Sequence, residues 1–343
     1  MFLLTSENAE GWLRQHGWVG SGPVQVRELA EGVSNVVLRV ETPERKFVVK
    51  QSRPQLRTRE AWFSNLDRIW REYDVMRLLQ PLLPAGTVPE LLYRCDEDYA
   101  FAMSHAPEPF RNWRSVLLSG EVDPSLGEQA GRLLGTIHEA TGSRPELIEP
   151  FRDRTVFEQL RVEPFYLKIQ ERLPEIAERV QPLIERMRTL RLGLCHGDFS
   201  PKNLLLHEGR FILVDYETGH WGDCTMDIGF FLSHLLLKAI YRSDQRESIL
   251  ELTRAFWRGY EATVRWQPVA ELQREGIGHL AVCLLARVDG TSPVPYLADA
   301  KQKEIARRLG REILTKCPAS WDEAVAIIRV ITFPVVSLRD TTG

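Results

Sequence analysis

The sequence predicts an α+β chain in two parts, a small antiparallel sheet with helix over residues 1–103 and a mainly helical region over 104–343. Three observations predict it. Apolar and polar residues alternate at period two from Val24 to Ser52, helical spacing dominates from Asp227 to Arg329, and one short hairpin from Leu204 to Val214 interrupts the second part. At 343 residues, 43% hydrophobic and 27% charged, the chain is long and apolar enough for one large or two medium cores, and it is neither disordered nor fibrous in composition.

The elements follow in order. Ser6 reads as an N-cap, with Glu7 and Glu10 in the next turn and Ala9, Trp12 and Leu13 on one helical face before Gly17. The stretch VQVRELAEGVSNVVLRVETPERKFVVKQS gives three strands, broken at Gly32 and at Pro43-Glu44 and ending near Lys50. From Asn65 to Gln80 the spacing of Ile69, Tyr73 and Met76 is helical until Pro81 and Pro84. Two more strands, VPELLYRC and YAFAMSHAP, flank the turn Asp96-Glu97-Asp98. After a Ser104-to-Pro109 linker, SLGEQAGRLLGTIHEAT makes a helix with Leu133, Leu134 and Ile137 inward.

Composition narrows the partners. A net charge of -3 with dispersed Lys and Arg argues against nucleic acid and anionic lipid. Five widely spaced cysteines with no C-x-x-C pair fit reduced thiols, hence the cytoplasm. The start lacks the basic region of a signal peptide, and IGFFLSHLLLKAI, the longest apolar stretch, is too short and polar to span a bilayer. Oligomeric state stays open.

The chemistry concentrates in LCHGDFSPKNLLLHEGRFILVDYE. Glu208-Gly209 is a two-residue hairpin turn, and the register it implies sets Asn203 opposite Val214 and beside Asp215. Asp198 sits five residues before Asn203 in a loop carrying Gly197 and Pro201. Two acids and an asparagine are the groups that phosphoryl transfer requires: oxygen ligands for Mg²⁺ and a carboxylate for the attacking hydroxyl.

HGDFSPKN resembles the catalytic loop, and VDYE the metal-binding segment, of the kinase-like phosphotransferases that include aminoglycoside, choline and methylthioribose kinases. The resemblance implies a bilobal protein-kinase-like fold, a small antiparallel-sheet N-lobe and a large mainly helical C-lobe, binding ATP with Mg. It makes Asp198 the catalytic base, Asn203 and Asp215 metal ligands, and Glu217 a further one. His196 is expected to be structural, as is Asp227, capping or bracing the helix that begins there. In the first lobe it implies that Lys50, ending KFVVK, pairs with Glu72 to hold the α- and β-phosphates. AEGVSN would cover the phosphates through the backbone at Ser34 and Asn35, and MSHAP would hold adenine through Ser104, His105 and Ala106. QSRPQLRTREAWFSN resembles an insertion of methylthioribose kinases; its Arg53, Arg57 and Arg59 are expected to be surface charge.

Only nine residues separate Glu217 from Asp227, too few for the activation segment of a protein kinase, so the implied partner is a small molecule offering a hydroxyl. Within LLARVDGTSPVPYLADAKQKEIARRLGREIL, similar to the closing segment of methylthioribose kinases, Arg287 matches one of two adjacent arginines that reach the active site. Its other reading is a surface ion pair with Asp289. Trp221 and Trp257 are read as core before acceptor platforms. The competing class is a degenerate kinase fold that binds a nucleotide or partner without transfer.

Overall fold

The computed structural model describes residues 1–29, 35–53, 66–142 and 144–332. Gly32 and Ser34 of the expected phosphate-covering loop, and Arg57 and Arg59, lie outside them. The chain packs as two compact units, one of Met1–Phe110 with Leu205–Gly219, the other of Arg111–Leu204 with the residues from His220 onward.

The first unit holds β1 (Gln25–Glu28), β2 (Asn35–Glu41), β3 (Lys46–Ser52), β4 (Leu91–Cys95) and β5 (Ala100–Ser104). All neighbours pair antiparallel in the order β1-β2-β3-β5-β4. Period-two alternation sends Val36, Leu38 and Val40 of β2 and Phe47 and Val49 of β3 into a core with Leu4, Trp12, Leu13 and Trp18. Lys50 therefore points to the other face of the sheet. The N-terminal segment is tied to that core through buried polar groups: Asp98 accepts from Phe2 N–H at 2.6 Å and Trp12 Nε1–H at 2.7 Å, and Gln51 Oε1 accepts from Leu4 N–H at 2.8 Å.

Helix α1 is Ala9–Gln15, and Ser6 does not cap it. Thr5 and Asn8 close the preceding turn on each other, Thr5 N–H donating to Asn8 Oδ1 at 2.7 Å and Asn8 N–H to Thr5 Oγ1 at 3.3 Å, and the Ser6 hydroxyl goes to Glu7. Helix α2 (Arg68–Leu79) buries Ile69, Glu72, Val75, Met76 and Leu79, so Glu72 lies on its apolar face. The hairpin strands Leu204–His207 and Arg210–Leu213 pair as expected, and the turn has φ +47° at Glu208 and +75° at Gly209, the two left-handed residues that a type I′ turn needs.

The second unit is mostly helical: α3 (Trp113–Ser119), α4 (Pro124–Thr141), α5 (Thr155–Phe157), a π-helical run Glu158–Leu167, α6 (Lys168–Arg172), α7 (Ala177–Thr189), α8 (Thr225–Tyr241), α9 (Arg246–Glu261), α10 (Val269–Asp289), α11 (Ala300–Lys316) and α12 (Trp321–Thr332). Asp123 caps α4 by accepting from Ser125 N–H at 2.9 Å, and Leu133, Leu134 and Ile137 are buried. Gly127 and Gly131 bring the α4 backbone against the Leu252 and Phe256 carbonyls of α9, where a Cβ would collide. Helix α8 is buried from Thr225 through Ile240, which explains its apolarity on all faces. Trp221 and Trp257 are core residues. No helix among the described residues is long and apolar enough to cross a membrane. All five cysteines are free thiols.

Candidate active site

In the first unit, Lys50, two residues before the end of β3, faces α2. Its Nζ donates to both Glu72 oxygens, at 2.7 and 2.9 Å, and reaches Asp215 Oδ1 at 3.5 Å. Burial alone would lower the Lys50 pKa; Glu72, Asp215 and Glu217 outweigh it and raise it, so the ammonium persists. Burial likewise pushes the Glu72 carboxyl up, opposed by Lys50. Glu72 also accepts from Tyr216 N–H at 3.3 Å, fixing the backbone beside Asp215. Asp215 has φ +70°, a left-handed conformation that costs a residue with a Cβ about 1–2 kcal/mol. Such strain persists where surrounding contacts impose it, as the Tyr216 bond does. Asn35 Nδ2 lies 3.4 Å from Glu217 Oε2, and Arg68 Nη2 reaches Asn35 Oδ1 at 3.5 Å. Arg53, expected as surface charge, pairs with Glu28 at 2.8 Å.

Of the expected adenine segment, Ser104 N–H donates to Glu90 O at 2.8 Å and His105 N–H to Lys46 O at 3.4 Å, both closing the sheet edge. Ala106 N–H has no hydrogen bond among the described residues.

In the second unit, the loop before the hairpin is held from beneath. His196 N–H and Gly197 N–H donate to the buried Asp227 carboxylate at 2.6 and 2.8 Å, and Gly197 turns with φ +74°. Asp227 thus braces the catalytic-type loop and does not cap its own helix; Asp223, accepting from Thr225 N–H at 3.1 Å, does that work. His196 Nδ1 accepts from Asp198 N–H at 3.2 Å, which makes its role structural.

Asp198, thus oriented, pairs with Arg161 at 3.0 Å and Lys202 at 2.7 Å, and its Oδ2 accepts from Asn203 Nδ2 at 3.0 Å. Burial would raise its pKa, but Arg161 and Lys202 hold it below the usual carboxylate range. Asn203 Nδ2 also donates to Asp198 O at 2.9 Å, so the amide is oriented with its oxygen outward. Lys202 stands inside the quoted motif and was legible there as a cation four residues from Asp198. Arg161, 37 residues earlier on a π-helical run, carried no signal.

Arg287 does not pair with Asp289, whose carboxylate is taken by Arg307 at 2.8 Å. Its guanidinium lies over Phe165 and Phe230, donates to Ser292 O at 3.0 Å, and feels the charge of Asp198.

A strand-borne lysine paired to a helix glutamate beside one aspartate, and a second aspartate held ionised in a loop before a hairpin, define a phosphotransferase with a protein-kinase-like α+β fold. Residues 25–272 match the phosphotransferase enzyme family, and the chain belongs to that family, as a small-molecule kinase. Methylthioribose kinase of Bacillus cereus (strain AH187) is 23% identical over 369 aligned residues, spanning 91% of this chain and 93% of its own. Two solved structures share the fold. Amicoumacin kinase hAmiN, in complex with AMP-PNP, Ca²⁺ and Ami, aligns with a TM-score of 0.55 at 18% identity, over 91% of this chain and 94% of that one. A choline/ethanolamine kinase family protein from Mesorhizobium loti aligns with a TM-score of 0.52 at 16% identity, over 94% and 99%.

Proposed function

We propose that the protein transfers the γ-phosphoryl group of ATP to a hydroxyl of a small molecule of the sugar, amino-sugar or amino-alcohol type. The observation that carries this reading is the buried Lys50–Glu72 pair with the Asp215 carboxylate 3.5 Å from the same ammonium. A lysine so held keeps its charge and a fixed position for the α- and β-phosphates.

In this reading residues 1–103 form the nucleotide part and 104–343 the catalytic and acceptor part. The Ala106 N–H is the donor for the adenine edge, within Ser104, His105 and Ala106, and the backbone at Ser34 and Asn35 covers the phosphates. Asn203, Asp215 and Glu217 offer hard oxygen donors, the set that suits Mg²⁺, and the outward Asn203 oxygen fits that use. The metal would neutralise charge on the phosphate oxygens.

Asp198 orients the acceptor hydroxyl. The bond from acceptor oxygen to γ-phosphorus forms as the bond to the β–γ bridging oxygen breaks, ADP departs, and the acceptor's proton passes to Asp198. A carboxylate held below its usual range serves better to position the hydroxyl than to remove its proton early, which suits a loose transition state. Arg287 acts beside Asp198 as a counter-charge.

The test is Mg²⁺-dependent ADP release across methylthioribose, choline, amino-sugars and simple sugars, with Asp198→Asn in parallel. Turnover that Asp198→Asn lowers by about 10²–10⁴-fold supports the reading. ATP binding without turnover would instead leave a nucleotide-binding protein of degenerate kinase fold.

A further inference from the structure

Near Asp198 the described cations outnumber the described acids. Arg161 and Lys202 share the single carboxylate of Asp198. Arg287, Arg114 and Lys238 have no carboxylate partner among the described residues, although Arg114 and Arg287 both act electrostatically on Lys238. Lys238 is wholly buried on α8. Among the described residues its Nζ donates only to the His234 carbonyl one turn back, at 3.0 Å, and it lies 5.6 Å from the centre of the Tyr296 ring. Burying an ammonium without a counter-charge costs several kcal/mol, and burial, with Arg114 and Arg287 adding to it, pushes Lys238 down to about 7.

Two polar atoms beside this cluster are also left over. Arg287 Nε and the Tyr296 hydroxyl are buried and lack a hydrogen-bond partner among the described residues. Burial raises the Tyr296 pKa, so the hydroxyl remains a donor. Each such orphan costs about 1–3 kcal/mol. Of the other Arg287 nitrogens, Nη1 donates to Ser292 O at 3.0 Å and Nη2 to the His234 ring at 3.3 Å. Burial and the neighbouring Arg287 lower the His234 pKa, so that ring adds no charge of its own. Arg114 and Arg287 are half-buried, whereas Lys238 is fully buried.

We infer that the acceptor carries an anionic group, a carboxylate or a phosphate, received by Arg287, Arg114 and the Tyr296 hydroxyl with buried Lys238 adding charge beside them. This rests on the phosphotransferase reading and narrows its acceptor to a hydroxylated acid or a phosphorylated alcohol. One anion satisfies the orphaned donors and the excess charge together. A cationic acceptor would add charge of the same sign to a cluster in which Asp198, the only carboxylate paired with it among the described residues, is already shared.

The test sorts acceptors by charge at fixed Mg·ATP: glycerate, gluconate, glycerol 3-phosphate and ribose 5-phosphate; glycerol, ribose and methylthioribose; choline, ethanolamine and kanamycin. ADP release is measured for the wild type, for half-exposed Arg114→Gln and for Tyr296→Phe. Turnover is expected with anionic members, with KM raised about tenfold or more in Arg114→Gln, less in Tyr296→Phe, and kcat little changed. Success with carboxylates alone identifies a hydroxy acid, and with phosphates alone a phosphorylated alcohol. Turnover of neutral or cationic members with a KM unmoved by Arg114→Gln overturns the inference and leaves the kinase reading standing. Absence of ADP release from the whole panel overturns both.

Discussion

Asp198 shares its two oxygens between Arg161 and Lys202, and that sharing sets how the site responds to pH. Its native pKa is depressed, so the stability from this pairing is present above the ordinary aspartate range and lost as pH falls through the lowered native value. The acid limb of kcat is therefore expected below pH 4, and Arg161→Gln should move that limb upward by about one pH unit, read from a kcat profile. At Lys50 the expected effect is on stability. Lys50→Met strands Glu72, a fully buried carboxylate, and should cost about 3–5 kcal/mol in urea unfolding, most of it recovered by adding Glu72→Leu. Lys238 has the opposite sign. Between about 7 and the ordinary lysine value of 10.5 the unfolded chain holds a proton that the native chain has lost, so native stability rises with pH across that window. Lys238→Met should raise Tm by several degrees at pH 6–7, and by less as pH approaches 10. Asp198, Asn203, Asp215 and Lys50 could be singled out in the sequence because each stands in a dense local motif or near an element end, and Glu72, inside its helix, only because the family resemblance implies a partner for Lys50. Arg114, Arg161 and Lys238 on helices and Tyr296 in a turn could not, since a lone basic or aromatic residue reads the same whether it faces solvent or the interior.

The hairpin and the α4–α9 pair show two ways in which backbone dictates element packing. The Glu208-Gly209 turn was legible because only a few residue pairs accept two left-handed conformations in succession. Gly209→Ala should cost about 1–2 kcal/mol, and Glu208→Asn should be neutral or stabilising, both read by thermal unfolding. Gly131 illustrates what spacing hides. Its helix reads as an ordinary amphipathic one, yet a Cβ there would run into the Phe256 carbonyl, as one at Gly259 would into that of Glu128. Gly131→Ala should then destabilise by about 1–3 kcal/mol despite its better helix propensity. The start of α1 failed for a related reason: Ser6, Thr5 and Asn8 are all plausible caps, and which one closes the turn depends on where Asp98 and Gln51 hold the segment before it. The π-helical run Glu158–Leu167 interrupts helical periodicity and carries Pro164, so no regular spacing announced it.

Across the whole chain, a formal charge of -3 conceals a local excess of cations around Asp198, and this is where composition misleads about partners. If the nucleotide reading holds, Mg·AMP-PNP at a hundred times its Kd should stabilise the protein by about 2.7 kcal/mol, and Lys50→Met should lose most of that gain. By itself the sequence determined the α+β division, the five strands of the first part, the hairpin and the identity of the polar residues around it, because these follow from periodicity, turn chemistry and short-range spacing. Only the tertiary structure decided that Asp198 is shared by Arg161 and Lys202, that Asp227 braces the loop and not its helix, that Arg287 leaves Asp289 to Arg307, and that Lys238 is buried without an acid among the described residues. Each of those depends on which distant side chains share a low-dielectric space, and the energy of a charge there is set by its neighbours in space, which one-dimensional spacing does not record.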